Sequence, residues 1–169
     1  INTGEMVVGN MGSHQVFDYP VIGNEVNTAS RLEPLNKAFG TRIIVAGATR
    51  REAEDQRPSH FAFRPLARVM PKGRAEPLDI FELAGRRDEL DEPTRENLAV
   101  FEAAMAHYLA RGFGDALEMF RRVLAQRPED GPAALFAARC EEYLAHPPPA
   151  DWDGVLTMDR KDLAGVLAG

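Results

Sequence analysis

Cysteine occurs once, at Cys140, so no internal disulfide can form, and the four histidines (His14, His60, His107, His146) are scattered without metal-ligand spacing. A zinc module and a disulfide-stapled secreted scaffold are excluded. No apolar run approaches the roughly 20 residues of a membrane span, and the opening Ile1-Asn2-Thr3-Gly4-Glu5 lacks the basic-then-apolar layout of a signal peptide. A soluble segment is expected. Basic runs are scarce as well: through Arg86 nothing exceeds Arg50-Arg51. The net charge of -6 is unevenly spread, with 11 Lys+Arg against 10 Asp+Glu through Arg86 and 9 against 16 from Arg87 onward. An acidic second half repels a phosphate backbone, so nucleic acid is a poor partner. A phosphorylated small molecule, which needs only about two or three cations, stays open.

With 44% hydrophobic and 27% charged residues, the chain can fill one sizeable core or two small ones. The charge split favours two domains. The chain opens at Ile1 rather than Met and enters strand-like alternation at once, so a piece of something longer is expected, with any site incomplete.

Residues 5 to 9 and 15 to 22 read as two strands around the Gly9-Asn10-Met11-Gly12 turn, a hairpin whose second strand is interrupted by Pro20. A helix is predicted from about Glu25 with Asn24 as N-cap. Pro34 should break it near Glu33. Residues 41 to 46 form a short buried strand, 48 to 55 a charged helix, and 60 to 70 and 78 to 83 two more strands around Pro71-Lys72-Gly73-Arg74. The order points to an α+β fold: a mainly antiparallel sheet with helices on one face, within residues 1–85. Residues 86–95 are a charged linker. Beyond it the period becomes helical, with Leu98, Phe101, Met105 and Tyr108 on one stripe and Ala116, Leu117, Phe120, Val123 and Leu124 on another. A third helix runs from Pro132 to about Leu144. Pro147-Pro148-Pro149 stops it, and Trp152 in the following Asp-Trp-Asp-Gly-Val segment is expected to anchor the tail.

At about 100° per residue, Val26, Ala29 and Leu32 share one stripe of the first helix, while Asn27 and Arg31 share the opposite one. An amide can hydrogen-bond a sugar oxygen, a guanidinium can follow charge developing on a phosphoryl group, and Lys72 in its turn can hold a terminal phosphate. By spacing alone such residues are usually solvated surface.

Their order and identity carry more. Asn2-Thr3-Gly4-Glu5, Val8-Gly9-Asn10-Met11-Gly12-Ser13, Phe17 through Glu33 with Val26-Asn27-Thr28-Ala29-Ser30-Arg31, Leu35-Asn36-Lys37, Gly40 through Val45 and Lys72-Gly73-Arg74 together resemble the C-terminal portion of a class III nucleotidyl cyclase catalytic domain. The resemblance covers Ile1 to Leu83 and implies a ferredoxin-like antiparallel sheet. It implies cyclisation of a nucleoside triphosphate, ATP before GTP, with Asn27 positioning the ribose, Arg31 stabilising the transition state and Lys72 binding the polyphosphate. Two divalent ions, Mg2+ or Mn2+, are implied, with their aspartate ligands and a purine-selecting lysine expected upstream of Ile1. Asp18 and Glu5 match other parts of the pattern and are not assigned as metal ligands. Pro20 departs from the family, which has Asp or Thr at that purine-selecting position.

Family active sites form between two protomers, so a homodimer is implied for the intact protein, and this chain alone is expected to be inactive. The resemblance implies a cytoplasmic domain and leaves membrane anchoring of the parent open. A catalytically degenerate regulatory or dimerisation module is the alternative, favoured by Pro20. Residues 96–169 resemble a tetratricopeptide-like extension, with Ala104, Ala116, Phe120 and Pro128 at repeat positions and Tyr108 one residue off. That suggests either a helical cap or a surface for a protein partner.

Overall fold

The computed structural model describes residues 1–9, 20–71 and 74–157. Two short strands, β1 (Val7–Val8) and β2 (Val21–Ile22), pair antiparallel with Val7 opposite Ile22. The hairpin is thus present in its flanking residues, and residues 10–19 lie outside the described ones. Helix α1 (Asn24–Leu32) begins one residue earlier than expected: Gly23, not Asn24, is the N-cap, and no side chain caps the end. Glycine fits there because a Cβ would sit 3.0 Å from the Glu5 carbonyl. Pro34 interrupts the helix as expected, and α2 (Leu35–Phe39) ends on Gly40 at φ 67°, a left-handed conformation that favours glycine.

β3 (Ile44–Ala46) is buried throughout and runs directly into α3 (Gly47–Gln56). β4 (Phe61–Met70) and β5 (Leu78–Arg86) are long antiparallel neighbours, and β5 also pairs antiparallel with β3. Pro65 falls inside β4, where it cannot donate to a ladder. The register shifts between Pro65 and Ala67, which accommodates it.

The charged linker holds the end of β5, a single 3-10 turn at Arg87–Glu89 and the start of α4 (Glu92–Leu109). Asp91 caps α4 by accepting from the Thr94 N–H at 3.0 Å. α5 (Phe113–Gln126) and α6 (Gly131–Ala145) complete a three-helix layer packed on aromatic contacts. Ring centroids lie 5.3 Å apart for Phe101 and Phe120, and 5.1 Å apart for Tyr108 and Phe136.

Two features correct the expectation of an all-helical extension beside an antiparallel sheet. After α6 the chain returns as β6 (Val155–Thr157), which pairs parallel with Arg68–Met70 of β4, giving the order β3-β5-β4-β6. Trp152 secures that return by packing against Tyr108, Phe113 and Tyr143 with centroids 5.3 to 5.7 Å away. The other feature is the core, which runs unbroken from Leu32 and Phe39 through Leu66 and Ile80 to Phe101, Phe136 and Leu156.

Gly131 shows how closely the parts meet. A Cβ there would overlap the Phe39 carbonyl oxygen and lie 3.1 Å from the Gly40 Cα, both backbone atoms of the α2 terminus. Helix propensity alone would make Gly131→Ala stabilising by up to about 1 kcal/mol. We expect instead a loss of about 2 kcal/mol from overpacking, read as a lower urea midpoint.

Candidate functional site

The face of α1 opposite the core carries the candidate residues. Thr28 and Leu32 are buried and Val26 and Ala29 half-buried, so Asn27 and Arg31, one turn apart, are both left exposed. They line one cleft of about 390 Å³ with Asn24, Glu25, Thr28, Arg74, Ala75 and Glu76. A second cleft of about 640 Å³ shares Asn24, Glu25, Arg74 and Glu76 and adds Asn2, Glu5 and Arg51. Pro20 is half-buried ahead of β2 and lines neither cleft. Lys72 and Asp18 lie outside the described residues. The geometry therefore unites Asn27 with Arg31 and adds Arg74 to them.

A polar network that the sequence reading did not anticipate links these elements. The Arg74 Nη1 donates to both Glu25 carboxylate oxygens, at 3.1 and 3.2 Å, and to the Thr28 hydroxyl at 3.0 Å. That hydroxyl in turn donates to the Asn24 carbonyl at 2.9 Å. From the other side the Asn2 amide donates to Glu25 Oε2 at 2.7 Å and to the Glu25 carbonyl at 3.0 Å. The Asn2 hydrogen bond, and then the Arg74 guanidinium, hold the Glu25 carboxyl below the usual carboxylate range against the opposing effect of burial. Glu25 is anionic at neutral pH. No local pattern announces this network, because its members lie 23 and 49 residues apart in sequence.

The segment holding Asn2 is itself fixed. The Ala46 N–H donates to the Ile1 carbonyl at 2.9 Å, and the Thr3 and Thr49 hydroxyls lie 3.1 Å apart. Other reactive groups are set aside by their surroundings. Burial pushes the Cys140 thiol up to about 12, which removes it as a nucleophile. Among the described residues no three His, Cys, Asp or Glu side chains gather as a metal site. Among them, too, no helix is long and apolar enough to cross a membrane.

An amide and a guanidinium one helical turn apart, with a second guanidinium across the cleft, can hold a hydroxylated, anionic molecule. Comparison with known proteins gives that chemistry a context. No protein-family model matches the chain. Adenylate cyclase 1 of Rhizobium meliloti (strain 1021) is 41% identical over 85 residues, 50% of this chain and 12% of that protein. Half of the chain is thus similar to part of an adenylate cyclase. The terminal-differentiation specific adenylate cyclase of Dictyostelium discoideum is 29% identical over 145 residues, 85% of this chain and 7% of that protein. A match of that length takes in residues of the helices α4 to α6 as well as of the sheet. The chain thus spans a small part of either relative. Among solved structures, the adenylyl cyclase CyaB from P. aeruginosa aligns at 31% identity over 53% of this chain and 43% of that one, with a TM-score of 0.42.

Proposed function

We propose that this chain is part of an adenylate cyclase that converts ATP to 3′,5′-cyclic AMP and pyrophosphate. The observation that carries the reading is the pairing of Asn27 and Arg31 on one exposed helix face above a shared cleft, in a chain 41% identical over 85 residues to an adenylate cyclase. Asn27 would orient the ribose, so that its 3′-oxygen faces the α-phosphorus. As that O–P bond forms and the bond to the bridging oxygen breaks, Arg31 would stabilise the charge spreading over the phosphoryl oxygens. Lys72 is assigned to the polyphosphate. The reaction calls for two divalent ions, Mg2+ or Mn2+, whose aspartate ligands are proposed to come from elsewhere in the full-length protein.

The complete domain is proposed to be a ferredoxin-like sheet with helices on one face, of which β3, β4 and β5 are antiparallel members, followed by a tetratricopeptide-like extension from about residue 96. A homodimer fits the β1–β2 ribbon, which stands apart from the larger sheet and leaves Val7 69%, Val8 62% and Ile22 53% exposed. A second reading, a degenerate regulatory or dimerisation module, is favoured by Pro20, which offers a purine no side-chain donor or acceptor.

Incubation of the full-length protein with ATP and Mn2+ separates the two. Cyclic AMP and pyrophosphate should appear in equal amounts, while residues 1–169 alone produce neither. A full-length protein that forms no cyclic nucleotide from ATP or GTP would leave the second reading in place.

A further inference from the structure

We infer that Arg74 is a phosphate-binding residue of the Asn27–Arg31 cleft, aimed by Glu25 and Thr28. The inference deepens the nucleotide-cyclising reading and rests on it for the identity of the ligand. Among the described residues the Arg74 side chain makes three hydrogen bonds, all through a single nitrogen, Nη1. A guanidinium carries five N–H donors. The side edge, formed by Nε and Nη2, has no hydrogen-bond partner among the described residues. That edge presents two parallel N–H groups, the geometry that matches two oxygens of one phosphate.

The anchors explain why the edge stays presented. Thr28 is 2% exposed and its hydroxyl proton is committed to the Asn24 carbonyl, so its oxygen is a fixed acceptor for Arg74. Glu25 is fixed in turn by Asn2 on its far side. The Arg74 side chain nevertheless remains 33% exposed and lines both clefts. Its fork is therefore ordered before any ligand arrives, which lowers the entropic cost of binding. Glu25 offsets part of its charge, so a moderate contribution is expected rather than a dominant one. Glu25 and Thr28 are positioning residues here, and only Arg74 meets the ligand.

The test uses the full-length protein and two readouts. Inorganic tripolyphosphate binding by calorimetry probes Arg74 without chemistry, and steady-state cyclisation of ATP probes the reading on which ligand identity rests. Arg74→Gln should weaken tripolyphosphate binding about tenfold and raise KM for ATP by a similar factor, with kcat within about twofold. Thr28→Val, which removes an anchor without changing charge, should raise KM about threefold. A residue that merely ties α1 to the connection between β4 and β5 would lower the melting temperature or kcat instead.

Should Arg74→Gln be too unstable to assay, Arg74→Lys keeps the charge but loses the paired edge, and should still weaken tripolyphosphate binding severalfold. Wild-type tripolyphosphate affinity in the substituted proteins, or no tripolyphosphate binding by the unsubstituted protein, overturns the inference. Loss of tripolyphosphate binding in Arg74→Gln, in a protein that never cyclises ATP, would uphold the phosphate site and overturn only the reaction.

Discussion

Arg31→Ala in the full-length protein is expected to lower cyclic AMP formation by about 10²- to 10³-fold, the loss typical of removing one preorganised donor to transition-state charge. KM for ATP should move only a few-fold, because the group acts on charge that develops after binding. The melting temperature should fall far less than activity does. Arg31 is exposed in the last turn of α1, where its charge favours the helix C-terminus by about 0.3–1 kcal/mol. Turnover that survives within a few-fold would remove Arg31 from the reaction and leave its resemblance to the family residue without chemical meaning. A loss shared between kcat and thermal stability would point to a fold effect instead.

What could be read from the sequence divides along physical lines. Periodicity and punctuation are local, so the helices, the break at Pro34, the two long strands and the polar face of Asn27 and Arg31 were all legible. The misplaced N-cap was a local error. Asn24 has a favoured N-cap side chain, yet the close approach of the 5–6 backbone to Gly23 sets the helix start one residue earlier. Long-range pairing was not legible. β6 is three residues long and its parallel partner lies more than eighty residues back, so no turn or alternation announces it. The Glu25–Arg74 pair was hidden for the same reason. Its residues stood inside the quoted motifs, but only folding brings the helix start and the 74 position into contact.

The charge asymmetry between the halves suggested two domains, and the buried contact between them yields the remaining prediction. Arg64 on β4 is 7% exposed and meets Glu82 on β5 through Nη2 at 2.5 Å and Asp130, the N-cap of α6, through Nη1 at 2.6 Å. Its guanidinium also stacks 4.7 Å from the Phe101 ring centroid on α4. Asp130 is committed twice, since it accepts from the Ala133 N–H at 3.0 Å as well. Removing the cation strands two carboxylates, and the Asp130 side chain is only 3% exposed. Arg64→Ala should therefore destabilise the protein by about 3–5 kcal/mol, the cost of an uncompensated buried charge.

The double variant Arg64→Met with Asp130→Asn removes the more deeply buried of the two stranded charges, keeps a capping oxygen and fills the volume. It should lose less than Arg64→Ala alone, a non-additivity expected of groups in one network. Because the ion cluster and the continuous core span the sheet and the helices together, urea unfolding followed at Trp152 and by far-ultraviolet circular dichroism should give one coincident transition in both proteins. Trp152 reports the tail and helices, whereas the dichroism also reports the sheet. Two separated transitions, with the Arg64→Ala loss confined to one of them, would mean that the helical layer folds apart from the sheet and only leans on it.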